Sequence, residues 1–302
     1  MRLLVELERQ GSVSAAARAV GITQSTASEH LRVLESAAGQ PLVERSGRGS
    51  RLTDAGRALS ARAAQALAAL RAGEEELAEL AGLQTGTIHL GASTAPGVYL
   101  LPDTLGCFRS DYPHVTVEVE IAASEQILER LLAGHLQLAL VGTPAASDRR
   151  IELEPFIADE IVGVARPGML PVKRGRVGAA ALAEVMLLAR EPGSSTQALA
   201  DDELAHAAVE TAGRWELGSS EAVKRAARAG LGVAFLSRYA VAEEVEAGQL
   251  ASFRLAGRPP LERVFSVARL AGRPVSPGER AFIATLTHCC ATSAAYATAC
   301  VA

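Results

Sequence analysis

Of the 30 basic residues in this 302-residue chain only Lys173 and Lys224 are lysines, and arginine supplies the rest. That bias points to a GC-rich coding sequence more than to a mechanism. Cysteine is also scarce. Cys107, Cys289, Cys290 and Cys300 make no Cys-x-x-Cys pair and no zinc spacing, so they read as reduced intracellular thiols. Cys107 is expected as a buried helix cysteine, with a redox-active thiol as the other option. No apolar run reaches the ~18 residues of a membrane span, and nothing at the N-terminus resembles a signal peptide. A cytoplasmic protein without a membrane partner is therefore expected. There is no Gly-x-Ser-x-Gly elbow, no P-loop and no His-Glu-x-x-His. His30, His89, His114, His135, His206 and His288 are scattered without ligand spacing. Catalytic residues, a metal and a cofactor are all absent from the expectation.

What is present begins at residue 12. Ala16, Ala17, Val20 and Ile22 give a short helix one small apolar face, and Gly21 supplies a turn that needs positive φ. Thr23 can cap the next helix, expected at about 23–36. Ala27, Leu31 and Leu34 recur at i, i+4 and i+7 and bury its inner face. Gln24, Ser25, Ser28 and Arg32 leave the outer face short and polar, a surface that fits a major groove. Gln can read adenine in bidentate fashion and Ser either base edge. The pattern predicts a helix-turn-helix, with a merely solvated helical hairpin as the alternative.

A basic, glycine-punctuated hairpin follows, from Pro41 to Thr53. Residues 1–62 hold nine Arg against six Asp plus Glu, although the whole chain carries −4. Arg45, Arg48 and Arg51 sit where a wing meets phosphates, which supply affinity without sequence information. Ser14, Thr23, Thr26 and His30 complete the predicted DNA-binding set.

Past Gly56 the chain becomes a long alanine-rich helix. Leu59, Ala63, Ala66, Leu70, Gly73, Leu77 and Leu80 are spaced in fours and threes, as in a coiled-coil seam, which predicts a dimer helix over 57–84. With 49% hydrophobic residues, the length allows roughly two domains with proper cores.

From residue 85 strands and helices alternate. Strands are expected at 87–92, 115–122, 137–142, 161–165, 185–190, 232–237 and 264–269. Helices are expected near 97–110, 124–134, 196–210, 219–229, 238–247 and 277–290. The arrangement predicts a two-lobed α/β domain over 85–302, with lobe I at about 85–160 and 265–290 and lobe II at about 161–264. Residues 291–302 read as a loose tail. Ligands in such folds bind at the carboxyl ends of strands, against helix N-termini that favour anions. Ser93, Thr94, Ser124, Thr143, Ser194, Ser195, Thr196 and Ser219 fall at those junctions and are the predicted effector-binding residues. Hydroxyls and amides suit a small anion without a buried countercharge, and each hydroxyl read singly is a helix cap.

The runs Gly11-Ser12-Val13-Ser14-Ala15-Ala16-Ala17, Thr23-Gln24-Ser25-Thr26-Ala27-Ser28, Leu34-Glu35, Pro41-Leu42-Val43-Glu44-Arg45 and Leu52-Thr53-Asp54-Ala55-Gly56 resemble the LysR-type bacterial transcriptional regulators. Gly91-Ala92-Ser93-Thr94, Tyr99-Leu100-Leu101-Pro102, Arg190-Glu191-Pro192-Gly193-Ser194-Ser195-Thr196 and Ser219-Ser220-Glu221-Ala222-Val223-Lys224 extend the likeness to about residue 285. The last two segments look most like the branch controlling sulfite reduction, sulfur assimilation and carbon-dioxide fixation. Ala123 and Gly142 depart from it, standing where that branch tends to have Asn and an acidic residue.

The resemblance implies an α+β multidomain chain. A winged helix-turn-helix over 1–56 leads by a linker helix to an effector domain like a periplasmic binding protein. It also implies double-stranded promoter DNA as partner, a homodimer or homotetramer, RNA polymerase as a further partner, and a small anionic metabolite or sulfur oxyanion as effector. An enzyme is the competing class, and a ligand-binding receptor or redox sensor of the same fold is the third.

Overall fold

The computed structural model describes residues 1–46, 49–80, 85–142 and 148–292. Its first unit is built from α1 (Arg2–Gln10), α2 (Val13–Ala19), α3 (Gln24–Ala38), β1 (Val43–Ser46) and β2 (Gly49–Leu52). Leu3, Leu4 and Leu7 of α1 meet Ala16 and Ala17 of α2, Ala27 and Leu31 of α3, and Leu42 and Leu52 of the hairpin in one apolar core. The sequence spacing accounts for this cluster, because residues three and four apart share a helix face. Gly21 makes the α2–α3 turn at φ 74°, in the left-handed region. The Thr23 side chain accepts from the Thr26 backbone N–H at 3.2 Å and starts α3. Glu35 accepts from the Leu42 and Val43 N–H groups at 2.8 and 3.1 Å, which fixes the hairpin to the end of α3.

The 27-residue α4 (Asp54–Leu80) is roughly 40 Å long at 1.5 Å per residue. Its predicted seam divides. Leu59 and Ala63 pack within this chain, whereas Leu70 and Leu77 are 66% and 68% exposed.

The second unit runs β3 (Gly86–Ser93), α5 (Thr94–Tyr99), α6 (Leu101–Asp111), β4 (Val115–Ala122), α7 (Ser124–Leu132), β5 (Leu138–Gly142) and β6 (Ile151–Ala165). It continues through β7 (Arg176–Val177), β8 (Met186–Ala189), α8 (Ser195–His206), β9 (Gly213–Glu216) and α9 (Ser220–Arg228). It ends with β10 (Ala234–Ser237), α10 (Arg238–Glu246), β11 (Ala251–Leu255), β12 (Leu261–Leu270) and α11 (Pro277–Thr292). The main sheet has the order β4-β3-β5-β12-β6-β11-β7, and β10 also pairs with β6.

The long strands β6 and β12 span two cores. Ile88, Leu90, Phe108, Leu140, Val267 and Phe282 form one, while Ile161, Leu187, Ala200, Val233, Phe235 and Phe253 form the other. The β8–β9 pair is parallel and joins the second core through a bridge from Leu187 to Val233.

Several expectations need correction. The helix expected near 97–110 is two helices divided at Leu100, where Pro102 opens α6. β6 begins ten residues before the strand expected at 161, and β7, β9 and β11 lie where no strand is expected. Cys107 is exposed, not buried. Arg48, Thr143 and residues 293–302 lie outside the described residues.

Candidate functional site

Two surfaces collect the predicted residues. On α3, Thr23, Gln24, Ser25, Thr26, Ser28, His30 and Arg32 are all exposed, opposite buried Ala27 and Leu31. Hydroxyls organise the start of the helix: Thr23 Oγ1 is 2.9 Å from Ser25 Oγ and 2.8 Å from Thr26 Oγ1, and Ser28 Oγ donates to the Gln24 carbonyl at 3.0 Å. Ser14 on α2 is half-buried. Arg45 and Arg51 are exposed on the hairpin strands, whose register pairs Arg45 with Ser50 and Arg51 with Glu44.

Two of the predicted phosphate contacts are already ion-paired. Arg32 meets Glu29 and Arg51 meets Glu44, each at 2.7 Å. Both pairs are exposed, where such contacts are worth little, so a phosphate can replace the carboxylate. Val33, absent from the expected contact set, is 62% exposed on the same helix. Its signal was an apolar residue outside the Ala27, Leu31, Leu34 spacing.

The second surface is a cleft where β3, β4 and β8 end. Ser93, Thr94, Ser124, Ser194, Ser195 and Thr196 line it together. Ser124 Oγ donates to Ser195 Oγ at 3.0 Å, although the two residues lie far apart in the chain. Ser194 caps α8 by accepting from the Gln197 N–H. Ser219 is not among them. It is exposed and caps α9 by accepting from Ala222 N–H at 3.2 Å, and its neighbour Ser220 is the buried residue that reaches the cleft arginine.

Two guanidiniums, missed in the sequence, sit at the centre. Arg190 follows β8 and donates from Nη2 to Thr94 Oγ1 at 3.1 Å, from Nη1 to Ser220 Oγ, and from Nε to Glu191 at 2.8 Å. Burial raises the Glu191 carboxyl, but the adjoining Arg190 holds it below the usual carboxylate range. Arg263, near the start of β12, donates from Nε to Asp159 Oδ2 at 2.7 Å and from Nη1 to Thr196 Oγ1 at 2.8 Å. Asp159 also accepts from Ser237 at 2.8 Å. Burial pushes the Asp159 carboxyl up and the Arg263 guanidinium down, each against the pull of the pair.

The Nη2 of Arg263 is buried with no hydrogen-bond partner among the described residues. A buried donor in that state is costly until an acceptor arrives. Gly142 matters here. A Cβ at that position would stand 3.3 Å from Ser195 Oγ and 3.4 Å from Arg263 Nη1, so a side chain would crowd the guanidinium. The expectation of a site without buried positive charge is thus overturned, and the reason is Arg190 and Arg263.

A winged helix-turn-helix joined by one long helix to a two-lobed α/β unit with a polar cleft defines a ligand-responsive DNA-binding protein. The chain belongs to the LysR family: residues 1–57 match the bacterial regulatory helix-turn-helix protein, lysR family, and residues 81–291 match the LysR substrate binding domain. It is 33% identical to the HTH-type transcriptional activator CmpR of Synechocystis sp. over 84% of this chain and 83% of that protein.

Among solved structures, a full-length OxyR variant from Pseudomonas aeruginosa shares the fold, with TM-score 0.77 and 22% identity, over 97% of this chain and 94% of that one. The Synechocystis CcmR regulatory domain, solved in complex with 2-PG, matches at TM-score 0.62 and 28% identity, over 68% of this chain and 97% of that one. No helix among the described residues is long and apolar enough to cross a membrane.

Proposed function

We propose that this chain is a homo-oligomeric, cytoplasmic transcriptional regulator that acts by binding and not by catalysis. Residues 1–56 bind promoter DNA, 57–84 form the dimer helix, and 85–302 receive the effector. Gln24, Ser25 and Ser28 touch bases, and Arg32, Arg45, Arg48 and Arg51 touch phosphates of an interrupted dyad. Ser14, Thr23, Thr26 and His30 border that contact. Effector domains pair dimers into a tetramer, and ligand in the cleft shifts how the dimers sit on DNA. RNA polymerase is the downstream partner.

The observation that carries the effector reading is the buried, unpartnered Nη2 of Arg263 beside six hydroxyls and Arg190. The effector is a small anion, either an oxyanion of sulfur or a carboxylated or phosphorylated metabolite. Because the similar CcmR domain was solved with 2-PG, that anion heads the series to try. Calorimetry of wild type and Thr196→Val with 2-PG, sulfite, sulfate and thiosulfate tests the reading. The valine keeps the shape and removes the hydroxyl that Arg263 uses, so affinity should fall by roughly 0.5–3 kcal/mol. Equal affinity in both proteins removes Thr196 from the site, and no binding of any anion rejects the anionic effector.

A further inference from the structure

A second polar cavity lies away from the cleft, where α4 meets the effector unit. It is a groove, open on one side, of about 780 Å³, a volume in the range of metabolite pockets. One wall is α4, through Ala58, Arg62 and Gln65. The other holds Arg149 and Arg150 ahead of β6, and Arg273 in the turn after β12. Four arginines from three stretches of chain therefore line one space in a protein of net charge −4. No carboxylate is among the described residues that line it.

Two of the four are neutralised from outside the cavity. Arg150 pairs with Asp148 at 2.7 Å, and Arg273 pairs with buried Glu279 at 2.7 Å. Arg62 meets only the amide oxygen of Gln65, at 3.0 Å, and neither Arg62 nor Arg149 has a carboxylate partner among the described residues. About two positive charges are left over. Arg273 is held in place from behind: its guanidinium donates to the Glu279 carboxylate at 2.7 and 3.0 Å and to the Gln137 carbonyl at 2.9 Å, which fixes it at the edge of the groove.

We propose that this groove is a second anion site, distinct from the cleft, for a small ligand with two or more negative charges of the diphosphate class. Guanidinium forks match phosphate oxygens in bidentate fashion, and the small residues Ala61, Ala66 and Ala271 line the groove beside the arginines. A ligand there bridges the helix that carries the DNA-binding unit to the unit that carries the effector cleft. Its binding therefore bears on how the two units are held together.

Inorganic pyrophosphate is the probe, titrated by calorimetry into the full chain at low salt. Three proteins are compared: wild type, the double variant Arg62→Gln with Arg149→Gln, and the cleft variant Thr196→Val. Both arginines are exposed, so the double variant should fold normally. Wild type should bind, the double variant should bind roughly 10-fold or more weakly, and Thr196→Val should match wild type. Affinity for a random duplex should be unchanged in the double variant. The proposal is overturned if wild type does not bind pyrophosphate, if the double variant binds it equally, or if Thr196→Val alone loses it. It is also overturned if the double variant loses random-duplex affinity, since the groove would then be a track for DNA phosphates.

Discussion

Arg190 Nη2 donates to Thr94 Oγ1 at 3.1 Å, tying the end of β8 to the first turn of α5 across the cleft. A hydrogen bond to a charged donor contributes about 1.5–3 kcal/mol, so this contact holds the two walls at a set distance. Thr94→Val should weaken effector binding by roughly 10-fold while leaving DNA affinity without effector unchanged. Calorimetry and anisotropy on the same preparation check both halves. Unchanged effector affinity would show that the contact does not shape the cleft.

Ser219 and Thr196 provide an internal contrast. Ser219→Ala removes a helix cap and should lower stability by about 0.5–2 kcal/mol with no change in effector affinity. Thr196→Val should do the reverse, because its hydroxyl accepts from Arg263 inside the cleft. Urea unfolding and calorimetry of the two variants separate the roles. A loss of effector affinity in Ser219→Ala would put that residue back in the site.

The exposed seam of α4 predicts assembly. Leu70 and Leu77 face solvent in the single chain, and burial against a symmetry mate would remove two large apolar side chains from water. Leu70→Asp or Leu77→Asp would place an unpaired carboxylate in that contact. Sedimentation should show a weakened dimer, and operator affinity should fall because two half-sites no longer bind as one unit. If mass and DNA affinity both stay put, the dimer uses another surface.

Readout and attraction should separate on the DNA face. Gln24→Ala should cost roughly 1–3 kcal/mol on the specific site and relax the preference at one base pair. Arg45→Ala should weaken specific and random duplexes alike and shallow the salt slope by about one. A binding-site selection that returns the same preferred sequence for Gln24→Ala would mean that another residue reads it, and exposed Val33 is the next candidate.

Acid should loosen the joint between the units. His135 Nε2 lies 3.3 Å from Glu8 Oε2, linking the turn after α7 to α1. Burial raises the Glu8 carboxyl, but His135, Ser60 and Arg57 outweigh it and leave Glu8 below its ordinary value. A carboxylate lowered in this way contributes stability that is present in full above its unfolded-state pKa and is lost as pH falls through the folded-state value. The melting temperature of wild type should thus drop more steeply than that of Glu8→Gln below about pH 5. Parallel curves for the two proteins would contradict this.

The DNA-binding unit was legible because its determinants are local. Thr23, Gly21 and the Ala27, Leu31, Leu34 spacing each act within one turn or one helix face. The cleft was legible only in part. Its hydroxyls mark strand-to-helix junctions, but Ser219 and Ser220 look alike in sequence, and only the start of α9 decides which one faces inward. Arg263 was hidden for a different reason. A charged residue in a strand reads as pointing to solvent, and the partners that justify its burial, Asp159 and Thr196, are distant in the chain. Glu152, Glu154 and Pro155 likewise masked the first half of β6, which is held by its pairing with β12.

The most direct test of the account is fluorescence anisotropy of the full chain on a duplex taken from upstream of its own gene, against a shuffled duplex of equal length at physiological salt. The account predicts binding to the upstream duplex tighter by about 1,000-fold or more. Equal affinity for the two duplexes would contradict it.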